Sequence, residues 1–178
     1  MIPLWKQNNQ QERLFKIMFH ISDDYLTGFI EGEGCFYIGI APSKETLNGW
    51  QVIHFFKVSQ NPSGKVILDF LKKRLGCGYV KLNAKPESKD KTLAYVVRDI
   101  NNLSERVIPF LENKLIIKRG EFERFKKVVE LVKNKNHLTK RGFNQIVQIA
   151  YSMNTKKRKI LKRILTDYTP NSVQTEKI

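Results

Sequence analysis

The chain has 178 residues, a formal net charge of +15 at pH 7 and a sequence pI near 9.9. This length suits one domain with a sizeable core, and the charge predicts a polyanionic partner, nucleic acid in preference to a membrane surface. Two cysteines and three histidines argue against a disulfide scaffold and a four-ligand zinc site, so a reducing compartment is expected. No apolar run reaches the ~18–20 residues of a membrane span, and residues 1–18 lack the apolar core of a secretory signal.

The first strongly patterned element is a short helix that begins after Ser22. Ser22 is a favourable N-cap residue, and the acids Asp23 and Asp24 suit the first turn. Gly34 stands just before an aromatic and β-branched stretch. We therefore expect the helix to end with Gly34 as a left-handed C′ residue and to lead directly into a strand.

Two glycines and two acids occupy positions in this helix where those residue types are usually unfavourable. Gly28 and Gly32 lie four residues apart and form one face without side chains, where a second backbone could approach closely. Glu31 and Glu33 fall in the last turn, where the helix dipole disfavours anions. A cation that relieves this repulsion would explain the pattern; the alternative is an ordinary amphipathic helix with two solvated glutamates.

The rest of the chain alternates between strand and helix patterns. The order helix, two strands, helix, two strands, helix predicts an α+β fold with a single four-stranded antiparallel sheet. Pro109 is expected to limit the helix that contains it, and Thr139 is expected to cap the last helix. The predicted segments after the first helix are strands 35–40 and 51–60, helix 62–75, strands 79–83 and 92–99, and helices 103–111, 120–133 and 143–151.

Composition divides the chain into three parts. Residues 1–21 are predicted to be an N-terminal extension, and residues 22–154 are predicted to form the folded domain. Residues 155–178 begin with a run of lysines and arginines and end in a polar stretch. They are predicted to be a basic tail, with phosphate contact as the functional alternative to a solvated arm.

Residues 26–34, Leu-Thr-Gly-Phe-Ile-Glu-Gly-Glu-Gly, resemble the motif of the LAGLIDADG homing endonucleases. Thr27 stands for the first Ala of the motif, Phe29 for the second Leu, and Glu31 and Glu33 for the two Asp. Looser matches follow in the same order, so that the resemblance spans most of positions 22–154. They are Val58-Ser59-Gln60, residues 75–80, Ile108-Pro109-Phe110-Leu111, Lys118 with Phe122 and Phe125, residues 134–139 and Ser152-Met153-Asn154.

The resemblance implies a fold and a set of site residues. The fold is αββαββα with extra C-terminal helices and a saddle-shaped antiparallel sheet that lies in the major groove of DNA. Glu33 corresponds to the acid that binds the metal, together with the Gly32 carbonyl, and Glu31 supports the helix end. Gln60 matches a position near the active-site solvent, and Lys118 matches a lysine that stabilises charge at the cut phosphate. The dimer interface would include Tyr25, Gly28, Phe29 and Gly32, and the DNA-reading side chains would be Tyr37, Gln51, Lys57, Lys81, Asn83 and Arg98.

The resemblance also implies an activity and partners. The family uses two motif helices and this chain has one, so the expectation is a homodimer that binds double-stranded DNA at a long pseudo-palindromic target and breaks both strands. The expected cofactor is Mg²⁺, with Ca²⁺ or Mn²⁺ able to substitute for binding. The alternatives are an intron maturase or another RNA-binding module without cleavage, and a purely DNA-binding regulator. An organelle, mitochondrion or chloroplast, is the expected location, with a prokaryotic cell interior or nucleoid as the alternative.

Overall fold

The motif helix, α1, runs from Asp23 to Glu33 in the computed structural model, which describes residues 21–46, 49–84 and 87–153 together with residues 161 and 164. The predicted cap is confirmed, because the Ser22 hydroxyl oxygen accepts a hydrogen bond of 3.1 Å from the backbone N–H of Tyr25. The predicted left-handed conformation of Gly34 is wrong: its φ of −74° and ψ of 148° are extended. Glycine is needed there for space, since a Cβ would lie 2.5 Å from the carbonyl oxygen of Ile30.

Four antiparallel strands form one sheet, which confirms the predicted α+β fold. The strands are β1 (Gly34–Pro42), β2 (Trp50–Gln60), β3 (Tyr79–Leu82) and β4 (Leu93–Val97). Their order in the sheet is β1-β2-β4-β3. The long strands β1 and β2 pair from Gly34 with Val58 to Pro42 with Trp50. The short strands β3 and β4 form the second hairpin, and β4 lies beside β2.

Alternation along the strands gives the sheet a core face and an open face. Phe36 lies on the core face and packs against Phe56, Phe122 and Phe125, with ring centroids 5.4 to 5.6 Å apart. Ile38, beside them on β1, is also buried. The helices therefore cover one side of the sheet, and the side chains between these positions belong to the other side.

Helix α2 (Lys65–Leu75) follows a single 3-10 turn at Pro62–Gly64. It ends as predicted at Gly76, which has a φ of +64° and donates its N–H to the carbonyl of Lys72. Gly78 is also left-handed, with a φ of +74°. Glycine adopts this backbone conformation without steric cost, so the chain can reverse direction into β3.

The helical segment around Pro109 differs from its prediction. It begins at Ile100, not at residue 103, because the Asp99 carboxylate caps it by accepting the N–H of Asn102 at 2.9 Å. Pro109 does not limit the helix but lies inside it; a π-helical turn precedes the proline, with the Ile108 N–H bonded to the Leu103 carbonyl. The wider turn absorbs the irregularity that a residue without an N–H introduces. In order, the segment comprises α3 (Ile100–Asn102), the π turn (Leu103–Val107) and α4 (Ile108–Leu111).

Two amphipathic helices complete the described domain. Helix α5 (Arg119–Lys133) buries Phe122, Phe125 and Val129, and helix α6 (Lys140–Met153) buries Phe143, Ile146, Val147 and Ala150, as their spacing predicts. A 3-10 turn at Asn136–Leu138 joins them, and the predicted cap is confirmed by a 3.0 Å hydrogen bond from the Gly142 N–H to the Thr139 hydroxyl. Among the described helices, none is long and apolar enough to cross a membrane.

The core also receives side chains from beyond residue 154. Leu161 and Ile164 are helical and buried in the same hydrophobic cluster. Both fall in the segment predicted to be a basic tail, whose other members lie outside the described residues, as do residues 1–20 of the predicted N-terminal extension. The three-part division of the chain remains a prediction.

Candidate active site

Lys118 lies against the carboxyl end of α1, as the resemblance predicts for a residue of the site. Its ammonium nitrogen lies 2.9 Å from the Gly32 carbonyl oxygen and 3.5 Å from that of Ile30. These carbonyls belong to the last turn of the helix, at the negative end of its dipole; the Ile30 oxygen also accepts the backbone N–H of Gly34. A lysine 86 positions away therefore places a positive charge at the end of this helix.

Glu31 is bound by the segment that leads to Lys118. Its carboxylate oxygens accept backbone N–H groups from Ile116 and Lys118, each at 2.7 Å. Partial burial raises the pKa of Glu31, but hydrogen bonds from the backbone N–H groups of Ile116, Lys118 and Ile117 outweigh it, so the net pKa lies below its ordinary value. The ionised carboxylate thus joins the end of α1 to the start of α5.

Glu33 and the Gly32 carbonyl present two oxygen donors on consecutive, exposed residues at the end of α1. Hard divalent cations prefer such oxygens, so this pair fits Mg²⁺ or Ca²⁺ in chemical type. Within the described residues, no three Asp, Glu, His or Cys side chains come together to hold a metal. The described residues therefore place two adjacent oxygen donors at this helix end without a third acidic, histidine or cysteine side chain beside them.

Gln60 lies at the end of β2, close in register to the start of β1. Because Gly34 pairs with Val58, residues 59 and 60 continue β2 past the beginning of β1, towards the end of α1. The side-chain oxygen of Gln60 accepts the backbone N–H of Asn61 at 2.7 Å. Its methylene groups cover Gly64, where an added Cβ would be 2.3 Å from Cγ. The amide is thus engaged by the neighbouring turn, and its role near active-site solvent remains a prediction.

Three of the four predicted dimer residues on α1 lie on its exposed side, and the fourth, Phe29, lies partly against the core. Gly28 and Gly32 are exposed, and a Cβ added at either would meet none of the described residues within 4 Å. Tyr25 is 55% exposed, whereas Phe29 is half-buried and packs partly against the core. Arg74 fixes the start of the same helix through contacts of 2.6 Å to both carboxylate oxygens of Asp23. A firmly held helix therefore presents a face on which, among the described residues, no atom approaches the Cβ positions of Gly28 and Gly32 within 4 Å.

The six predicted DNA-reading residues all belong to the open face of the sheet. The register places Tyr37 opposite Phe55, and Lys57 between Cys35 and Val96. The Lys57 ammonium donates to the Asn83 side-chain oxygen at 3.3 Å, and this contact spans the sheet from β2 to the end of β3. The remaining members follow from the same alternation and register; they are Gln51, Lys81 and Arg98.

Phe55 is a residue of this face that the sequence analysis missed. Its ring stacks on Tyr37, with centroids 4.5 Å apart and planes 13° from parallel, and the Arg98 guanidinium lies 5.2 Å from its centroid. Gly39 makes room for this group, since a Cβ there would be 2.7 Å from the Tyr37 hydroxyl oxygen. The signal in the sequence was the broken alternation of residues 53–57, where adjacent aromatic residues face opposite sides of the sheet.

Comparison with known sequences connects this geometry to a family. The profile described as "LAGLIDADG endonuclease" matches residues 26–129. A Neurospora crassa protein named "Probable intron-encoded endonuclease 3" is 35% identical over 147 residues, or 81% of this chain and 27% of that protein. A Podospora anserina protein described as "Uncharacterized 50.9 kDa protein in ND4 intron 1" is 34% identical over 119 residues, or 65% of this chain and 25% of that protein. The chain spans about a quarter of the length of these curated relatives.

Solved structures share the fold. The homing endonuclease I-TnaI superimposes with a TM-score of 0.74 at 31% identity, over 85% of this chain and 100% of that chain. I-SmaMI "bound to uncleaved DNA target in the presence of Calcium ions" gives a TM-score of 0.75 at 28% identity, over 89% of this chain and 54% of that chain. Since the family profile covers more than half of the sequence and the fold agrees, the chain belongs to the LAGLIDADG endonuclease family.

Proposed function

We propose that the protein is a Mg²⁺-dependent, site-specific homing endonuclease that acts as a homodimer and breaks both strands of a long pseudo-palindromic DNA target. The observation that carries the proposal is the group at the end of α1. Glu33 and the Gly32 carbonyl face outward there, and the Lys118 ammonium lies 2.9 Å from that carbonyl. Hard oxygen donors beside a fixed cation suit the hydrolysis of a phosphodiester.

The need for two copies follows from the incomplete site. One chain offers a single outward carboxylate at the end of a helix whose glycine face is open. Two such helices in contact would bring two acids together on a twofold axis, and a twofold-symmetric enzyme matches a pseudo-palindromic target. The half-length match to I-SmaMI supports this arrangement, because it leaves room in that chain for a second unit of similar size.

In the proposed reaction each side chain has one task. Glu33 and the Gly32 carbonyl would hold the divalent cation, which when bound supplies positive charge at the phosphate and lowers the pKa of a bound water. Lys118 would stabilise negative charge on the phosphate that is cut, and Gln60 would orient solvent nearby. Glu31 would not touch the substrate but would hold the Lys118 backbone in place through its two hydrogen bonds.

Target recognition is assigned to the open face of the sheet. Gln51 and Asn83 offer amide donors and acceptors for base edges, while Lys57, Lys81 and Arg98 offer cations for guanine edges or phosphates. Tyr37 lies among them, stacked on Phe55. The net charge of +15 supports binding to a polyanion, and the intron-encoded relatives support a location in an organelle.

The deciding experiment separates cleavage from binding. The Glu33→Gln variant and the unmodified chain are each incubated with a randomised duplex DNA library and Mg²⁺, and the new ends are sequenced. We expect the unmodified chain to cut a defined sequence and Glu33→Gln to bind the selected sequence in Ca²⁺ without cutting it. Glu123→Gln, an exposed change on α5, is the matched control and should cut normally.

Two results would contradict the proposal. Normal cutting by Glu33→Gln would remove that acid from the reaction. An unmodified chain that binds nucleic acid but cuts no member of the library would favour the alternative of an RNA- or DNA-binding module on the same fold.

A further inference from the structure

The segment between α4 and α5 exposes two adjacent isoleucines. Ile116 is 84% exposed and Ile117 is 85% exposed, the highest values among the large apolar side chains of the described residues, whereas the preceding Leu115 is 5% exposed. Scattered single apolar side chains are normal on a protein surface, but a neighbouring pair beside a candidate site is not scattered. The pair is therefore a candidate contact surface for a partner.

This pair is held firmly in position. The Ile116 and Lys118 N–H groups both donate to the Glu31 carboxylate, and Leu115 is anchored in the core. The Lys118 side chain adds a third link to α1 through the Gly32 carbonyl. The backbone thus fixes the two isoleucines relative to the last turn of α1, as a preorganised contact surface requires.

The isoleucines adjoin the glycine face of α1. At about 100° per residue, Gly28 lies about 60° around the helix axis from Glu31, the residue that binds the isoleucine segment. Tyr25 and Gly32 lie on the same side of the helix as Gly28. Through Glu31, the segment that carries the isoleucine pair is therefore bound at one edge of the glycine face, and the exposed Tyr25 lies on the same side of the helix as the glycines.

We propose that Ile116 and Ile117 pack against a second copy of this chain, across the twofold axis that brings the two α1 helices together. This inference deepens the proposed function, on which it depends for the second copy. In an isologous interface the pair occurs twice, so four isoleucines would flank the two helices. DNA is a poorer occupant, because isoleucine offers neither a positive charge nor a hydrogen-bond donor to a phosphate.

The proposed contact also links assembly to the site. Ile117 is followed directly by Lys118, and both neighbours of Ile117 donate their N–H groups to Glu31. A partner that covers the isoleucines would therefore restrain the backbone that positions the lysine. Ile116 and Ile117 are thus interface and positioning residues and do not touch the reacting atoms.

The test compares the I116S/I117S double variant with the unmodified chain by sedimentation equilibrium without DNA. We expect the dimer dissociation constant to rise at least tenfold, with an unchanged circular dichroism spectrum, because both side chains are exposed in the single chain. Leu138→Ser is the matched control, since Leu138 is 70% exposed in the turn before α6, and its dissociation constant should not change. I116V/I117V keeps apolar side chains in place and should dimerise like the unmodified chain.

Three outcomes would overturn the inference. An unchanged dissociation constant for I116S/I117S would show that the pair lies outside the interface, while cutting activity would continue to support the endonuclease. Normal dimerisation combined with weaker binding to the selected duplex would assign the pair to DNA. A monomeric unmodified chain would remove both this contact and the homodimer, and the Glu33→Gln experiment would still test the cleavage chemistry separately.

Discussion

Replacing Gly28 by alanine should stabilise the isolated chain and weaken the homodimer. The added methyl group meets none of the described residues of its own chain within 4 Å, and residue 28 lies in the interior of α1. Alanine is more favourable than glycine in a helix interior by about 0.5–1 kcal/mol, so the free energy of unfolding of the isolated chain should rise by about that amount. In a close helix pair the methyl group occurs on both chains and meets the partner's backbone. Such overpacking typically costs about 1–3 kcal/mol, which weakens the dimer by a factor of about 5 to about 160.

Two measurements separate these effects. Urea denaturation at a concentration where the chain is monomeric gives the stability of one chain, and sedimentation equilibrium gives the dimer dissociation constant. Gly34→Ala is the matched control. Its methyl group would be 2.5 Å from the Ile30 carbonyl oxygen, so this substitution should lower the stability of the single chain, whereas Gly28→Ala should raise it. If Gly28→Ala stabilises the chain and leaves the dissociation constant unchanged, the two helices do not meet through this face.

Two further changes test single contacts of the structure. Glu31→Gln replaces one of two carboxylate acceptors by an amide NH₂ that faces a backbone donor, so urea denaturation should show a loss of about 1–2 kcal/mol; an unchanged stability would contradict the two hydrogen bonds. Burial lowers the pKa of His54, with a further lowering by His137 and an opposing effect of Asp99. Below pH 6.5 the unfolded chain therefore binds more protons than the folded chain. The free energy of unfolding should then decrease as the pH is lowered, by up to about 1.4 kcal/mol per pH unit, until the pH reaches the pKa of His54 in the folded chain. His54→Gln should flatten this dependence in denaturation curves between pH 7 and 5, and an equal slope in both proteins would contradict it.

Much of the fold could be predicted because its signals are local. The Ser22 and Thr139 caps need only a hydroxyl and a backbone N–H three residues later. Gly76 ends α2 because its own backbone conformation is left-handed. The alternation of apolar residues in β1 distinguishes the two faces of the sheet without knowledge of its neighbours.

The features that sequence reasoning missed depend on distant parts of the chain or on exact backbone geometry. Glu31 was expected to support its helix end, but its partners could not be predicted, because its donors are 85 and 87 positions away. Gly34 was expected to have a positive φ, whereas it is required by the approach of the Ile30 carbonyl. The π turn before Pro109 was missed, because a proline alone does not determine whether a helix stops or widens. Composition likewise gave no sign that Leu161 reaches the core.

One face of the sheet forms the core and the other is assigned to DNA, and this separation has a consequence for evolution. The side chains that hold the fold together, such as Phe36 and Phe56, alternate along β1 and β2 with those that the proposed function assigns to DNA. Each strand therefore carries two almost independent sets of positions. Mutations at Gln51 or Lys81 can accumulate at little cost to folding, so a lineage that moves into a new insertion site could change its target while inheriting its scaffold intact.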